Sequence, residues 1–168
     1  AHIDLNLSKD SLLIHGDTGQ IEQVVLNLLT NASEAIQNQK DAGKINVRTG
    51  LLELRQDDFA DYYFCENVTP GRFVFFEIED NGSGMDADCQ SKMFDPFVTT
   101  KVTGRGLGLA GVSGIIRGHH GGLFVQSAVE SGSCFRVILP VSIEAEEEVN
   151  TDSSIDPVVP ADVGYVLV

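Results

Sequence analysis

One amphipathic helix after Asp17 constrains the fold of this chain more than any other segment. Asp17 followed by Gln20 is a capping-box pattern, in which side chains satisfy the free backbone N–H groups of a helix start. The apolar residues that follow recur at helical spacing up to about Lys40, and they are Ile21, Val24, Val25, Leu28, Leu29, Ala32 and Ile36. Because such a helix must bury its apolar face, we expect a second layer beneath it.

Several strand-like segments can form that second layer. Two short apolar segments precede the helix, and Gly43 ends it. The other predicted strands, rich in β-branched, aromatic or aliphatic residues, are 45–54, 73–79, 123–127 and 134–139, and a second helix is predicted over 107–119. The first two of these strands are expected to form a long hairpin. This order of elements predicts an α/β fold.

Two connections are unusually long. Residues 55–71 contain the aromatic residues Phe59, Tyr62, Tyr63 and Phe64, so this hairpin tip is expected to fold over itself or to meet a partner. After Asp80-Asn81-Gly82 the sequence predicts irregular chain to about Arg105, a length that is uncommon in compact domains unless the loop is functional. A mobile lid is the corresponding hypothesis.

The charge of the chain excludes some ligands and marks a boundary. The formal net charge is -14, and residues 141–168 contain seven acids and no Lys or Arg. An acidic surplus argues against binding to nucleic acid or to an anionic membrane, since both favour clustered cations. We therefore expect a domain over 1–142, an acidic linker over 143–163 and, from the apolar residues 164–168, the truncated first strand of a following receiver domain.

The cysteines and the hydropathy indicate the compartment. Cys65, Cys89 and Cys134 are odd in number and have neither disulfide-framework nor zinc-ligand spacing. No apolar run approaches the roughly 20 residues that span a bilayer. A cytoplasmic location is expected, although the parent protein could carry membrane segments upstream.

An amide stripe lies beside the apolar stripe of the first helix. Gln20, Gln23, Asn27 and Asn31 follow one another at steps of three or four residues. Two interpretations remain open from spacing alone. The stripe is either a solvated helix face or the border of a polar cavity, where an Asn oxygen could ligate Mg²⁺ alongside phosphate oxygens and water.

The segment Asp80-Asn81-Gly82-Ser83-Gly84 follows a strand directly. Its two glycines permit a turn that brings the backbone close to a flat ligand, and Asp80 at the strand end could accept a hydrogen bond from an exocyclic amine. The alternative is an ordinary Asx turn.

A second glycine-rich segment, Gly104 to Leu109, opens the second helix. Free N–H groups and the helix dipole at such a start favour an anion, which makes it a candidate phosphate site. Gly106, Gly108 and Gly111 also match a dinucleotide fingerprint, but that fingerprint requires a strand running straight into the first glycine, and the preceding residues look like loop. His119 and His120, adjacent at a helix end, are expected to interact with the last carbonyls and not to bind a metal.

These segments together resemble the histidine kinase branch of the GHKL ATPase superfamily. Its ATP site is built from an Asn-containing helix, two glycine boxes and a phenylalanine box. The corresponding segments are 22–32 for the N box, 80–84 and 104–109 for the glycine boxes, and Met93-Phe94-Asp95-Pro96-Phe97-Val98-Thr99-Thr100-Lys101 for the phenylalanine box. The resemblance covers about residues 3–140. It implies the Bergerat fold, a two-layer α/β sandwich in which helices cover one face of a mixed sheet and a flexible lid closes over ATP.

The resemblance also implies residue roles. Asp80 would receive the adenine amine, Asn31 would ligate Mg²⁺, and Ser133 would add a hydroxyl where relatives commonly have Thr. The remaining implied contacts, with the glycine boxes or with phosphates, are Gly82, Gly84, Lys101, Arg105, Gly106, Leu107 and Gly108. Phosphoryl transfer needs mainly this kind of positioning and charge neutralisation.

Asn27 distinguishes branches of the superfamily. Hydrolytic members place a Glu there to activate water, whereas an amide cannot act as that base, so transfer to another group is expected. The resemblance implies that the acceptor is a histidine on a separate helical hairpin that also dimerises the full-length protein, and that a receiver domain or response regulator follows in the pathway. None of the four histidines here stands in such a helix. The alternative is a noncatalytic or anti-sigma-type nucleotide-binding regulator.

Overall fold

Helix α1 (Thr18–Ile36) forms as the capping pattern predicts. The Asp17 side chain accepts a hydrogen bond from the backbone N–H of Gln20 at 2.9 Å, which satisfies one of the free donors of the first turn. The helix ends at Ile36, before the predicted limit at Lys40. The computed structural model describes residues 2–10, 12–37, 42–66, 68–95, 108–142 and 165–167.

A five-stranded mixed sheet supplies the layer that α1 requires. Its strands are β1 (His2–Asn6), β3 (Lys44–Leu54), β4 (Gly71–Asp80), β5 (Gly122–Ala128) and β6 (Gly132–Pro140), and β2 (Leu13–His15) lies outside it. The spatial order is β1-β3-β4-β6-β5, with β1 parallel to β3 and every other pair antiparallel. The predicted hairpins of β3 with β4 and of β5 with β6 are confirmed.

The main core lies between the sheet and two helices, α1 and α3 (Gly108–Gly118). The buried side chains of the two helices are Ile21, Val24, Leu28, Ala32 and Ile36 from α1 and Val112 and Ile116 from α3. They pack on Ile45, Phe76, Ile78 and Val137 of the sheet. The two-layer α/β prediction is confirmed.

The connection between β3 and β4 folds back onto the face of the sheet that lies opposite the helices. This corresponds to the first of the two expectations for the hairpin tip, that it folds over itself. It begins with a 3₁₀ helix (Gln56–Asp61), from which Phe59 packs edge-on against Phe73 with ring centroids 6.2 Å apart. Tyr62 contacts Phe124 of β5 in the same manner at 6.1 Å. This connection therefore covers part of the face that the helices leave open.

A charged row crosses the middle of that same face. Arg48, Glu77 and Arg136 are register partners on β3, β4 and β6. The Glu77 side chain is 0% exposed and accepts from the Arg136 Nε at 2.7 Å and from the Arg48 guanidinium. Both guanidinium groups stay partly exposed, so the carboxylate is fully paired while its partners keep contact with water.

The prediction of irregular chain after Gly82 is wrong in one part. A short helix, α2 (Ala87–Lys92), forms there, and the Asp86 side chain caps it by accepting from the Cys89 N–H at 2.8 Å. A six-residue helix with no buried residue carries no apolar periodicity, so only its cap could have signalled it. Residues 96–107, on which the rest of the lid hypothesis depends, lie outside the described residues.

Residues 165–167 form a further strand, β7 (Tyr165–Leu167), which pairs antiparallel with β2. The other edge of β2 contacts the end of β6, where the Ser142 N–H donates to the Leu13 carbonyl at 3.0 Å. The assignment of 164–168 to a following receiver domain stays a prediction, as do the boundaries at 142 and 163. No helix in the described ranges is both long and apolar enough to cross a bilayer.

Candidate functional site

The amide stripe of α1 divides into two halves. Gln20 and Gln23 are exposed, whereas Asn27 and Asn31 are half-buried. The Nδ2 atom of Asn31 is buried and has no hydrogen-bond partner in the described part of the chain. Such a donor costs about 1–3 kcal/mol when it stays unpaired, so a ligand that pairs with this amide would recover that free energy. The cavity-border interpretation therefore fits the second half of the stripe.

Asp80 ends β4 in a buried position and is 5% exposed. Its Oδ1 accepts from the Gly82 N–H at 2.7 Å. Burial raises the pKa of this carboxyl above its ordinary value, while hydrogen bonds from the backbone N–H groups of Gly82 and Ser133 act in the opposite direction. A buried carboxylate with spare acceptor capacity is suited to a ligand that brings an N–H donor.

The two glycines after Asp80 are fixed by close backbone approaches. A Cβ on Gly82 would lie 2.7 Å from the backbone carbon of Ala35 in α1. Gly84 has φ +63°, and a Cβ there would lie 1.9 Å from the carbonyl oxygen of Ala128. The loop thus fits between α1 and the β5–β6 turn only without side chains at these positions. Asn31 lies one helical turn before Ala35, on the same flank of α1.

A pair of serines adjoins Asp80. Ser133, 7% exposed, is the register partner of Asp80, and its Oγ lies 2.9 Å from the Oγ of Ser127. The Ser127 Oγ in turn accepts from the Met85 N–H at 2.9 Å. Sequence reasoning named Ser133 and missed Ser127, which fixes the end of the glycine loop. A single serine at a strand end has no recognisable sequence pattern. Only the pairing of β5 with β6, which places Ser127 opposite Ser133, reveals its role.

His119 joins the end of α3 to the start of α1. Its Nδ1 donates to the Ile115 carbonyl at 2.8 Å, and its Nε2 accepts from the Asp17 N–H at 3.1 Å. This arrangement requires the neutral ring with its proton on Nδ1. The predicted interaction with a last carbonyl is confirmed for His119, and the ring also holds the two helices of the site together.

Five of the predicted site residues belong to the second glycine-rich segment and the residues just before it. Lys101, Arg105, Gly106 and Leu107 lie outside the described residues, and Gly108 is the first residue of α3. The residues that run into Gly106, on which the dinucleotide alternative depends, also lie outside the described residues.

The donor set is compatible with Mg²⁺ in one arrangement. No group of three or more His, Cys, Asp or Glu side chains capable of holding a metal occurs in the described ranges. A magnesium ion that keeps several waters and binds substrate phosphates needs only one or two protein oxygens. The amide oxygen of Asn31, half-buried on α1, is an oxygen of this kind.

Known proteins share this architecture and this sequence pattern. Residues 16–143 match the family model described as histidine kinase-, DNA gyrase B- and HSP90-like ATPase. The sensor kinase CckA of Brucella abortus (strain 2308) is 36% identical over 144 residues, which cover 84% of this chain and 15% of CckA.

Two solved structures have the same fold. The catalytic domain of histidine kinase ThkA is 26% identical, with a TM-score of 0.61 over 83% of this chain and 78% of the ThkA chain. Full-length ShkA in complex with AMPPNP is 25% identical, with a TM-score of 0.62 over 84% of this chain and 26% of the ShkA chain. By its sequence, its sheet order and the match over 16–143, this chain belongs to the family of histidine kinase-, DNA gyrase B- and HSP90-like ATPases.

Proposed function

We propose that this chain binds Mg-ATP and donates its γ-phosphoryl group to a histidine on a separate helical hairpin, in two-component signal transduction. The observation that carries the proposal is the half-buried pair Asn27 and Asn31 on one flank of α1. Asn27 bears an amide where a hydrolase needs a general base, so the site favours transfer over attack by water.

The proposed nucleotide lies between α1, the glycine loop and the start of α3. Its adenine amine donates to Asp80, whose buried position beside Ser133 supports this role. Asn31 holds Mg²⁺, which when bound offsets the charge of the phosphates. The proposed contacts are Asn31, Asp80, Gly82, Gly84, Lys101, Arg105, Gly106, Leu107, Gly108 and Ser133.

The proposed partners follow from this chemistry. The phosphoacceptor hairpin belongs to the same kinase and forms the homodimer of the full-length protein, and a receiver domain or response regulator takes the phosphoryl group onward. The net charge of -14 disfavours nucleic acid as a partner. A cytoplasmic location agrees with these roles. The similar proteins are named sensor and histidine kinases, so an anti-sigma-type regulator is the less supported alternative.

Transfer in trans tests the proposal. The chain is incubated with Mg-ATP and the phosphoacceptor hairpin of the parent kinase, and we expect acid-labile, base-stable phosphate on the hairpin. Asn31→Ala should lose this transfer, whereas Gln23→Ala, which alters an exposed amide of the same helix, should retain it.

Three results would contradict the proposal. Rapid phosphate release by the chain alone would indicate a hydrolase. Acid-stable phosphate on a serine of a partner would favour the regulator. Normal transfer by Asn31→Ala would remove the helix from the catalytic site.

A further inference from the structure

Aromatic side chains of the β3–β4 connection contact elements on the nucleotide side of the molecule. The Tyr63 ring lies on that of Phe94, just after α2, with centroids 4.9 Å apart and a tilt of 54°. Phe64 contacts the same Phe94 edge-on at 6.1 Å. The Arg117 guanidinium of α3 lies 4.2 Å from the Phe64 ring centroid. We call Tyr63, Phe64 and Phe94 the aromatic clasp.

The clasp is anchored to the edge of the main sheet. The Leu123 carbonyl of β5 accepts from the N–H of Tyr63 at 2.8 Å and of Phe64 at 3.4 Å, and the Leu123 N–H donates to the Phe64 carbonyl at 2.9 Å. The Phe64 side chain is buried. The backbone of two consecutive residues of the connection is thus hydrogen-bonded to the edge strand, so the sheet fixes where their rings lie.

Phe94 connects the clasp to the nucleotide site through α2. In that helix the Gln90 side chain donates to the Met85 carbonyl at 3.0 Å and to the Ser127 carbonyl at 3.1 Å. Met85 ends the glycine loop that begins at Asp80. The clasp therefore reaches the glycine loop through α2 and reaches α3 through Arg117.

The Tyr63 ring packs on two aromatic rings, that of Phe94 at 4.9 Å and, edge-on, that of its neighbour Phe64 at 6.5 Å, so the contact with Phe94 is the closer one. Tyr63 is 45% exposed, and within the described residues its hydroxyl donates one long hydrogen bond, to the Gln90 carbonyl at 3.4 Å. An exposed ring gains little from burial, whereas an aromatic pair adds directional attraction. The contact consequently restrains Phe94 more than it stabilises the core.

We propose that Tyr63 is a positioning residue for Mg-ATP binding. Its ring holds Phe94, and this contact keeps α2 in a fixed position relative to α3. This inference rests on the proposed function. The contact fits a ring and not a particular polar group, so Phe at position 63 should serve and Leu should not.

The test compares Tyr63→Leu, Tyr63→Phe and the matched control Tyr62→Leu in the full chain. Tyr62 is a neighbouring half-buried tyrosine that contacts Phe59 and Phe124 and not Phe94. We expect Tyr63→Leu to speed amide hydrogen exchange over residues 90–95 by about three- to tenfold without nucleotide, and to weaken Mg-ATP binding by a similar factor. Tyr63→Phe should match wild type in both measurements.

A double-mutant cycle assigns the effect to the pair. Combined with Phe94→Leu, Tyr63→Leu should add almost nothing to the loss of Mg-ATP affinity. Each of three results would overturn the inference. Tyr63→Leu could leave hydrogen exchange and Mg-ATP affinity unchanged, Tyr62→Leu could show the same changes as Tyr63→Leu, or the losses of affinity could add in the double variant. If the wild-type chain bound no ATP, the proposed function itself would fail, whereas a failure of Tyr63 alone leaves that function intact.

Discussion

Asp80→Asn is the sharpest test of the nucleotide site because the change affects one atom. The variant keeps the Oδ1 that accepts from the Gly82 N–H at 2.7 Å, so the turn can form as in the wild type. It replaces the other carboxylate oxygen by an NH₂ donor. A ligand that presents an amine to this position then meets a donor where it needs an acceptor.

The structure sets the size of the effect. At 5% exposure, Asp80 is largely shielded from the water that could replace the lost acceptor. A hydrogen bond to a charged group contributes about 1.5–3 kcal/mol, and a buried donor left unpaired costs about 1–3 kcal/mol. A loss of about 1.5 kcal/mol corresponds to roughly tenfold in affinity, and the two losses together correspond to roughly seventyfold or more. We therefore expect Asp80→Asn to bind ADP at least about tenfold more weakly while remaining folded.

Calorimetry with ADP measures this loss, and Glu79→Gln is the control. Glu79 precedes Asp80 on the opposite face of β4, where its carboxylate accepts from the Asn46 amide at 3.1 Å. The control removes the same charge at nearly the same place in the chain. Equal affinity of wild type and a folded Asp80→Asn, or an equal loss in Glu79→Gln, would refute the assignment of Asp80 to the adenine amine.

Three further predictions concern the metal, the glycine loop and pH. Asn31→Ala should weaken Mg-ATP binding about tenfold or more and keep the affinity for metal-free ADP within about twofold of wild type, as measured by titration with and without EDTA. Equal losses of affinity for both ligands would exclude a metal role for Asn31. Gly84→Ala should lower the unfolding free energy by at least about 2 kcal/mol in urea melts, because a left-handed φ alone costs about 1–2 kcal/mol and the Ala128 carbonyl must also move. Gly114→Ala in α3, where a Cβ meets open space, should instead raise the unfolding free energy by about 0.5–1 kcal/mol. A more stable Gly84→Ala than Gly114→Ala would contradict the packing. Burial raises the pKa of Asp80 above 3.8, so the folded state holds the carboxyl proton more tightly than the unfolded chain does, and the stability of the wild type falls as pH rises past that value. The stability of Asp80→Asn relative to wild type should therefore increase between about pH 3.5 and pH 7. A stability difference that does not change with pH would contradict this.

The sequence predicted the elements whose signal is periodic. Asp17 with Gln20 and the apolar spacing of α1 located this helix, because the spacing directly reflects burial on one face. The content of β-branched, aromatic and aliphatic residues located the longer strands. Helix α2 escaped prediction because all six of its residues stay at least partly exposed.

Sequence reasoning named candidate site residues one by one, but it did not show how they lie together. Spacing could not tell a solvated amide stripe from a cavity border, and the structure divides the stripe between Gln23 and Asn27. The contact of Tyr63 with Phe94 joins residues 31 positions apart in two irregular segments, so no local pattern encodes it. Register across β5 and β6 likewise placed Ser127 beside Ser133.

The charged row around Glu77 discriminates against misaligned versions of the sheet. If β4 slipped by one residue, this carboxylate would turn into the apolar layer under the helices, where an unpaired charge is very costly. A slip by two residues keeps the face but places Glu77 opposite Asn46 or Gly50 on β3. On β6 the same slip offers it only Cys134 or Ile138. Within these three strands, only the native alignment gives the carboxylate two cations.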